Sequence, residues 1–240
     1  STQGVSSAAS DVYKRQDVKS YNPETDSNLE ANYSISKIGN KKTCRKALLQ
    51  EMQLQPMDGP VIGIVTRFVG HKGISLIQQA FEEILSLGCQ FVILGSGEKI
   101  FEDFFTEMQF QYPKQVHTTL GFQPALARRI YAGADLFLMP SQNEPCGLAQ
   151  MVAMRYGTIP IVRETGGLKD SVTDAGDPSG NGFTFKTYDA GDMLDAVKRA
   201  CALFADKRKW NALVKRAMSC DFSWDHSALD YIAMYENLIS

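Results

Sequence analysis

No apolar run in the 240-residue chain approaches the roughly 20 residues that span a bilayer, so no transmembrane helix is expected. The first residues lack the charged-then-apolar pattern of a secretory signal. There is no basic excess: 25 Lys and Arg stand against 27 Asp and Glu. That balance argues against general binding of nucleic acid or anionic membrane. Five cysteines (Cys44, Cys89, Cys146, Cys201, Cys220) are scattered and never in Cys-x-x-Cys spacing. A disulfide framework or zinc ribbon is therefore not expected, and a reducing cytoplasm fits best. The three histidines, His71, His117 and His226, lie too far apart to form a ligand cluster. No Asp-x-Asp, Gly-x-Ser-x-Gly or Walker A sequence occurs, and no internal repeat. The expectation is a site without a metal or cofactor.

What is present is an ordinary globular composition, 44% hydrophobic and 22% charged, so a packed core is expected rather than disorder. Residues 1–16 are small, polar and aperiodic, and they read as a tail outside the fold that need not be native. Residues 17–40, with the turn signal Tyr21-Asn22-Pro23, read as a lead-in segment that packs over something else. The domain proper occupies 41–240. It opens with a basic amphipathic helix over 41–53. Apolar runs at 61–65, 91–94, 136–139 and 159–162 predict buried strands, with further strands near 115–120 and 182–185. Helical spacing falls between them, through Leu76, Ile77, Ala80, Phe81, Ile84 and Leu85, and again at 123–133 and 147–156. Three more helices are expected near 190–204, 207–219 and 225–238. Continuous apolar strands alternating with helices predict an α/β fold, a doubly wound parallel sheet in the order 3-2-1-4-5-6.

In such a sheet ligands lie outside the carboxyl ends of the strands, where the order reverses between strands 1 and 4. After the first strand comes Arg67-Phe68-Val69-Gly70-His71-Lys72-Gly73. Its glycines let backbone approach a ligand, a helix begins just beyond, and Arg67 and Lys72 flank the turn. A forked donor and a mobile point charge suit a pyrophosphate; a solvated basic loop is the plainer alternative. After the fourth strand Glu144 precedes Pro145, Cys146 and Gly147. It either faces the crevice or complements a helix N-terminus. Cys146 is read as a small packed residue. After the fifth strand, Thr165-Gly166-Gly167-Leu168 opens a helical turn whose amides can hold an anion or sugar oxygens, or simply turn the chain. Gly95-Ser96-Gly97 begins like a dinucleotide fingerprint, but Ile100 stands where the third glycine is required, so it reads as a turn.

Taken in order, Arg67-x4-Lys72-Gly73, Glu144-Pro145-Cys146-Gly147-Leu148, Met154-Arg155-Tyr156-Gly157-Thr158 and Thr165-Gly166-Gly167-Leu168 resemble the bacterial glycogen synthases and plant starch synthases. The resemblance runs from Tyr21-Asn22-Pro23 to Phe222-Ser223-Trp224 and beyond, nearly everything after residue 16. It implies a GT-B glycosyltransferase, two Rossmann-like domains facing a cleft, with this chain similar to the C-terminal one. It implies transfer of glucose from ADP-glucose to the non-reducing end of an α-1,4-glucan, with retention and without a required metal. The partners implied are a nucleotide sugar, an α-glucan and the N-terminal acceptor domain, whose motifs are not among these residues. A plant-type origin would imply a plastid rather than the cytoplasm.

By the same resemblance Arg67 and Lys72 bind the diphosphate, with Gly70 between them. Glu144 contacts the donor glucose, and Thr165, Gly166 and Gly167 offer backbone amides to the donor. Tyr131 is a further candidate on the nucleotide side. Gln142-Asn143 depart from the family, which often has a cation and then Phe before the glutamate. Relatives with other acceptors usually carry a second Glu eight residues after the first; here Val152 stands there, which favours the glucan synthase branch. A related transferase with another acceptor and a nucleotide-binding module without catalysis are the alternatives.

Overall fold

The structure, a computed structural model, describes residues 20–223. The expected tail at 1–16, the last helix at 225–238, Trp224 and His226 lie outside the described residues. Six strands form one parallel sheet in the order β3-β2-β1-β4-β5-β6. They are β1 (Val61–Val65), β2 (Gln90–Gly95), β3 (Val116–Leu120), β4 (Leu136–Met139), β5 (Ile159–Arg163) and β6 (Phe183–Phe185). β1 pairs with β2 from Val61 opposite Gln90, and with β4 from Ile62 opposite Leu136. The chain therefore winds outward in both directions from β1 and β4, and their carboxyl ends open a crevice.

Eight α-helices connect the strands among the described residues: α1 (Lys41–Glu51), α2 (Ile74–Ser86), α3 (Lys99–Gln111), α4 (Pro124–Gly133), α5 (Ala149–Arg155), α6 (Gly166–Ser171), α7 (Ala190–Ala205) and α8 (Lys207–Ser219). Alternate strand residues feed two separate cores. Ile62, Ile64, Phe91 and Ile93 join the larger core with Phe68, Phe81 and Phe105, while Val61, Val92 and Leu94 join Leu48, Leu126 and Ile130 on the opposite face. Burial on both faces explains why β1, β2, β4 and β5 read as apolar runs. α3 has no counterpart among the sequence expectations. It buries Phe101, Phe105 and Met108 along one face and leaves Ile100 and Phe110 exposed, which blurs its periodicity. α5 starts at Ala149 rather than 147, because Gly147 turns the chain with φ of 67° first.

The lead-in is built into the domain. The Tyr33 hydroxyl donates to the Tyr156 carbonyl at 2.7 Å, and the Tyr156 hydroxyl donates to Asp26 at 2.6 Å. Arg128 pairs with the same carboxylate at 3.2 Å and lies over the Tyr21 ring. Next along, Lys41 turns its ammonium inward onto the Ala132 carbonyl (2.9 Å) and the Thr158 hydroxyl (2.8 Å), and burial lowers its pKa to about 8. Asp135 accepts from Arg45 at 2.9 Å and from the Val61 amide at 2.8 Å, fixing the entry to β1. These groups sit at the amino edge of the sheet. Their work is structural.

Asp26 is the exposed flank of this scheme to acid. Burial pushes its pKa up, but hydrogen bonds from Tyr156, Asn28 and Arg128 outweigh it and hold the value below the ordinary 3.8. A depressed carboxylate stabilises the fold fully above its unfolded pKa, and the contribution is lost as pH falls through the lower folded value. Asp26→Ala removes one partner from a buried pair and is expected to cost about 3–5 kcal/mol at pH 7. Urea unfolding at pH 7 and pH 3 checks both halves: the gap between wild type and variant narrows at the lower pH.

Candidate active site

Three loops meet at the carboxyl edge, leaving β1, β4 and β5. The first runs from Thr66 through a short 3-10 turn, Gly70–Lys72, into α2. Gly73 caps that helix with φ of 75°, and a Cβ there would stand 2.1 Å from the Pro140 carbonyl oxygen. Only glycine lets the first loop lie against the second. The Gln142 amide then donates to the His71 carbonyl at 2.8 Å, joining the two loops.

This contact carries Lys72 to Glu144. Their Nζ and Oε2 atoms are 2.5 Å apart, with the two side chains 18% and 11% exposed. The Ser141 hydroxyl donates to the same carboxylate oxygen at 3.2 Å. Glu144 is thus oriented by a cation and a hydroxyl from the crevice side. It does not complement the N-terminus of α5, which begins five residues later behind Leu148. Arg67 is exposed at the mouth of the same crevice. Among the described residues its guanidinium has no carboxylate partner. Gly70 is exposed too, its amide donating to a Glu98 carboxylate oxygen at 3.1 Å, and the space where a Cβ would stand is open.

The glycines after β5 let two loops pack closely. A Cβ on Gly166 would lie 2.2 Å from the Glu144 carbonyl oxygen, and one on Gly167 1.7 Å from that of Cys146. The Gly167 amide donates to the Glu144 carbonyl at 3.0 Å, so it is not an open donor as the sequence suggested. Both residues let α6 press against the loop that holds Glu144. Thr165, the residue before α6, is half-buried and extended, and its side chain does not cap the helix.

Tyr131 is not brought to this crevice. It lies in the last turn of α4, at the amino edge, and is 6% exposed between the rings of Phe137 and Tyr156. Burial pushes its phenol pKa up, and it is a core residue. The expectation of a nucleotide-side role is corrected by that position. Two cavities of about 880 and 850 Å³ also lie at the amino edge, around α1, and neither is lined by a crevice residue.

Sequence reasoning passed over Arg163, the last residue of β5. Its Nε donates to the Ser141 carbonyl at 3.0 Å, one terminal nitrogen to the Gln142 carbonyl, and the other to the Lys186 carbonyl at 3.3 Å. One guanidinium thus ties the Glu144 loop to the segment after β6, under the Tyr188 ring. An arginine at a strand's carboxyl end was the available signal. Glu164, the neighbouring carboxylate, accepts from the Thr184 hydroxyl at 2.9 Å.

Removing the clamp is expected to loosen the Glu144 loop without unfolding the sheet. Charge-assisted bonds of this kind are worth about 1.5–3 kcal/mol. In Arg163→Met, hydrogen exchange in a peptide covering 140–148 is expected to accelerate by one to two orders of magnitude, roughly as that energy dictates, while exchange in β1 stays unchanged.

With this geometry in hand, comparison with known proteins is direct. The chain is 47% identical over 220 residues to a glycogen synthase of Desulforudis audaxviator, covering 90% of this chain and 44% of that protein. It is 45% identical over 226 residues to the glycogen synthase of Kosmotoga olearia, covering 93% and 48%. Among solved structures, the catalytic domain of starch synthase IV from Arabidopsis thaliana, bound to ADP and acarbose, superposes with a TM-score of 0.84 at 40% identity, covering 93% of this chain and 48% of that one. The chain therefore spans less than half the length of each of these relatives. The family model for glycosyl transferases group 1 matches residues 46–216, and the chain belongs to that family.

Proposed function

We propose that this chain is the donor-binding half of a retaining glucosyltransferase of glycogen or starch synthesis. It moves glucose from ADP-glucose to the non-reducing end of an α-1,4-glucan. The observation that carries this reading is the Lys72–Glu144 pair at the switch point, with Arg67 exposed beside it. A crevice holding one carboxylate against a cation, with a second cation at its mouth, fits a substrate that is anionic at one end and a sugar at the other. Similarity to glycogen synthases and to an ADP-bound starch synthase supports ADP-glucose as that substrate. No helix among the described residues is long and apolar enough to cross a membrane.

In this reading the bond from the glucose anomeric carbon to the β-phosphate oxygen breaks, and a bond from that carbon to the acceptor's 4-hydroxyl oxygen forms. The acceptor proton passes to the departing diphosphate oxygen. Negative charge grows on the diphosphate in the transition state, so Arg67 and Lys72 accelerate the step by stabilising it. Glu144, released in part from Lys72 when phosphate arrives, contacts the glucose and supports positive charge at its reacting carbon. A double displacement needs a nucleophilic carboxylate about 5 Å from the first. Glu164 is engaged by Thr184, which supports departure and attack on the same face. Open space at Gly70 supports close approach of phosphate to the backbone once the Glu98 carboxylate yields the Gly70 amide. Thr165 and Gly166 border the sugar side.

Arg67→Ala and Lys72→Ala are each expected to weaken ADP binding by about 1.5–3 kcal/mol, the range for charge-assisted contacts. Isothermal titration of the purified chain measures this, and unchanged affinity in Arg67→Ala would overturn the assignment of the phosphate loop. A second outcome concerns turnover. Holding the acceptor hydroxyl against the anomeric carbon contributes about 7–11 kcal/mol to such reactions, and the acceptor domain is its source. The chain incubated with labelled ADP-glucose and glycogen is therefore expected to bind ADP saturably and to transfer no label. Glucan elongation by these residues alone would refute the division of labour.

A further inference from the structure

Two cysteines stand together far from the crevice. Cys89 immediately precedes β2 and is fully buried at 0% exposure, while Cys201 lies on α7 and is half-buried. Their sulfur atoms are 3.4 Å apart, across 112 residues of sequence. The remaining cysteines with described contacts face elsewhere: Cys44 turns to the Ala31 carbonyl and Cys220 to that of Arg216. A protein disulfide has a sulfur separation of about 2.05 Å, so the pair needs an approach of only about 1.4 Å from its 3.4 Å contact. Neither residue takes part in the proposed transfer.

We infer that Cys89 and Cys201 form an oxidative modification site, a dithiol that closes to one disulfide when a peroxide reaches Cys201. The two residues have distinct parts. Cys201 is the accessible one, and the hydrogen bond between the two sulfurs lowers its pKa; Cys89 is raised by that same bond and by burial. The Cys201 thiolate attacks one oxygen of hydrogen peroxide, the O–O bond breaks, and with one proton taken up the products are Cys201 sulfenic acid and water. Cys89 sulfur then attacks the sulfenic sulfur, its proton leaves with the hydroxyl as a second water, and the S–S bond forms. Two thiols lose two electrons and the peroxide gains them.

The bond would join the start of β2 to α7 and close a loop holding Glu144, Arg163 and Gly166. A cross-link over so long a loop restricts the unfolded chain and raises the melting temperature, here by roughly 5–15 °C.

The test uses the purified chain, treated with hydrogen peroxide or kept in dithiothreitol, then digested without reduction and analysed by mass spectrometry. The expected result is a linked Cys89–Cys201 peptide, 2 Da lighter than the sum of its thiol parts, with a raised melting temperature that dithiothreitol reverses. Cys201→Ser is expected to lose both the link and the rise, and to leave Cys89 a free thiol. Recovery of both residues as thiols, conversion of Cys201 to sulfinic acid with Cys89 untouched, or a link through any other cysteine would overturn the proposal. The mapping on unmutated chain stands whether or not the variant folds.

Discussion

Backbone meets backbone at the switch point of this sheet, and the site depends on that contact. β1 and β4 are neighbours whose following loops leave for opposite faces. A crevice between them is inevitable, but its width is not. Gly73 against the Pro140 carbonyl, and the Gln142 amide on the His71 carbonyl, set the two loops at van der Waals and hydrogen-bond distance. From that spacing follow the approach of Lys72 to Glu144 and the open floor at Gly70. A side chain at Gly73 would push the loops apart, and a point charge loses its grip on a carboxylate steeply with distance.

The domain uses similar ionic groups for opposite purposes at its two edges. At the amino edge, Lys41, Arg45, Asp26 and Asp135 are satisfied by fixed carbonyls, hydroxyls and amides. Groups so committed have little left to offer a ligand. At the carboxyl edge the commitments are fewer. Lys72 and Glu144 hold chiefly each other, and Arg67 faces solvent. In the proposed function an arriving anion competes with Glu144 for Lys72, while the Ser141 hydroxyl stays on the carboxylate. Exposure and partner count, more than residue type, distinguish the groups proposed to bind from the structural ones here.

Behind the site stands a second layer that holds it rigid. Arg163 bridges the carbonyls of the Glu144 loop, and Gly166 and Gly167 bring α6 against the same stretch from below. Glu144 is thereby fixed by its own backbone carbonyl as well as by its carboxylate. A transferring group gains most from partners that are already oriented before the substrate arrives. Three loops from three strands share that orientation, each carried by a buried, doubly covered sheet that does not yield.

The sequence by itself determined the strand and helix alternation, and hence the sheet order, because strands buried on both faces must be apolar without a break. It also determined which loops carry Arg67, Lys72 and Glu144, since chain order places them after strands 1 and 4. It left α3 unread, where exposed Ile100 and Phe110 mask the buried face of Phe101, Phe105 and Met108. What only the tertiary structure decided is partnership. Tyr131 looks as available as any tyrosine until helix direction carries it to the amino edge and Phe137 and Tyr156 enclose it. The Gly167 amide looks open until the loop from β4 closes on it, and it is spent on the Glu144 carbonyl. Arg163 and the Cys89–Cys201 contact join residues far apart in sequence, through loops whose closeness follows from packing rather than any local pattern. Local sequence fixes what each segment becomes, whereas contacts between segments exist only once the sheet has brought them together.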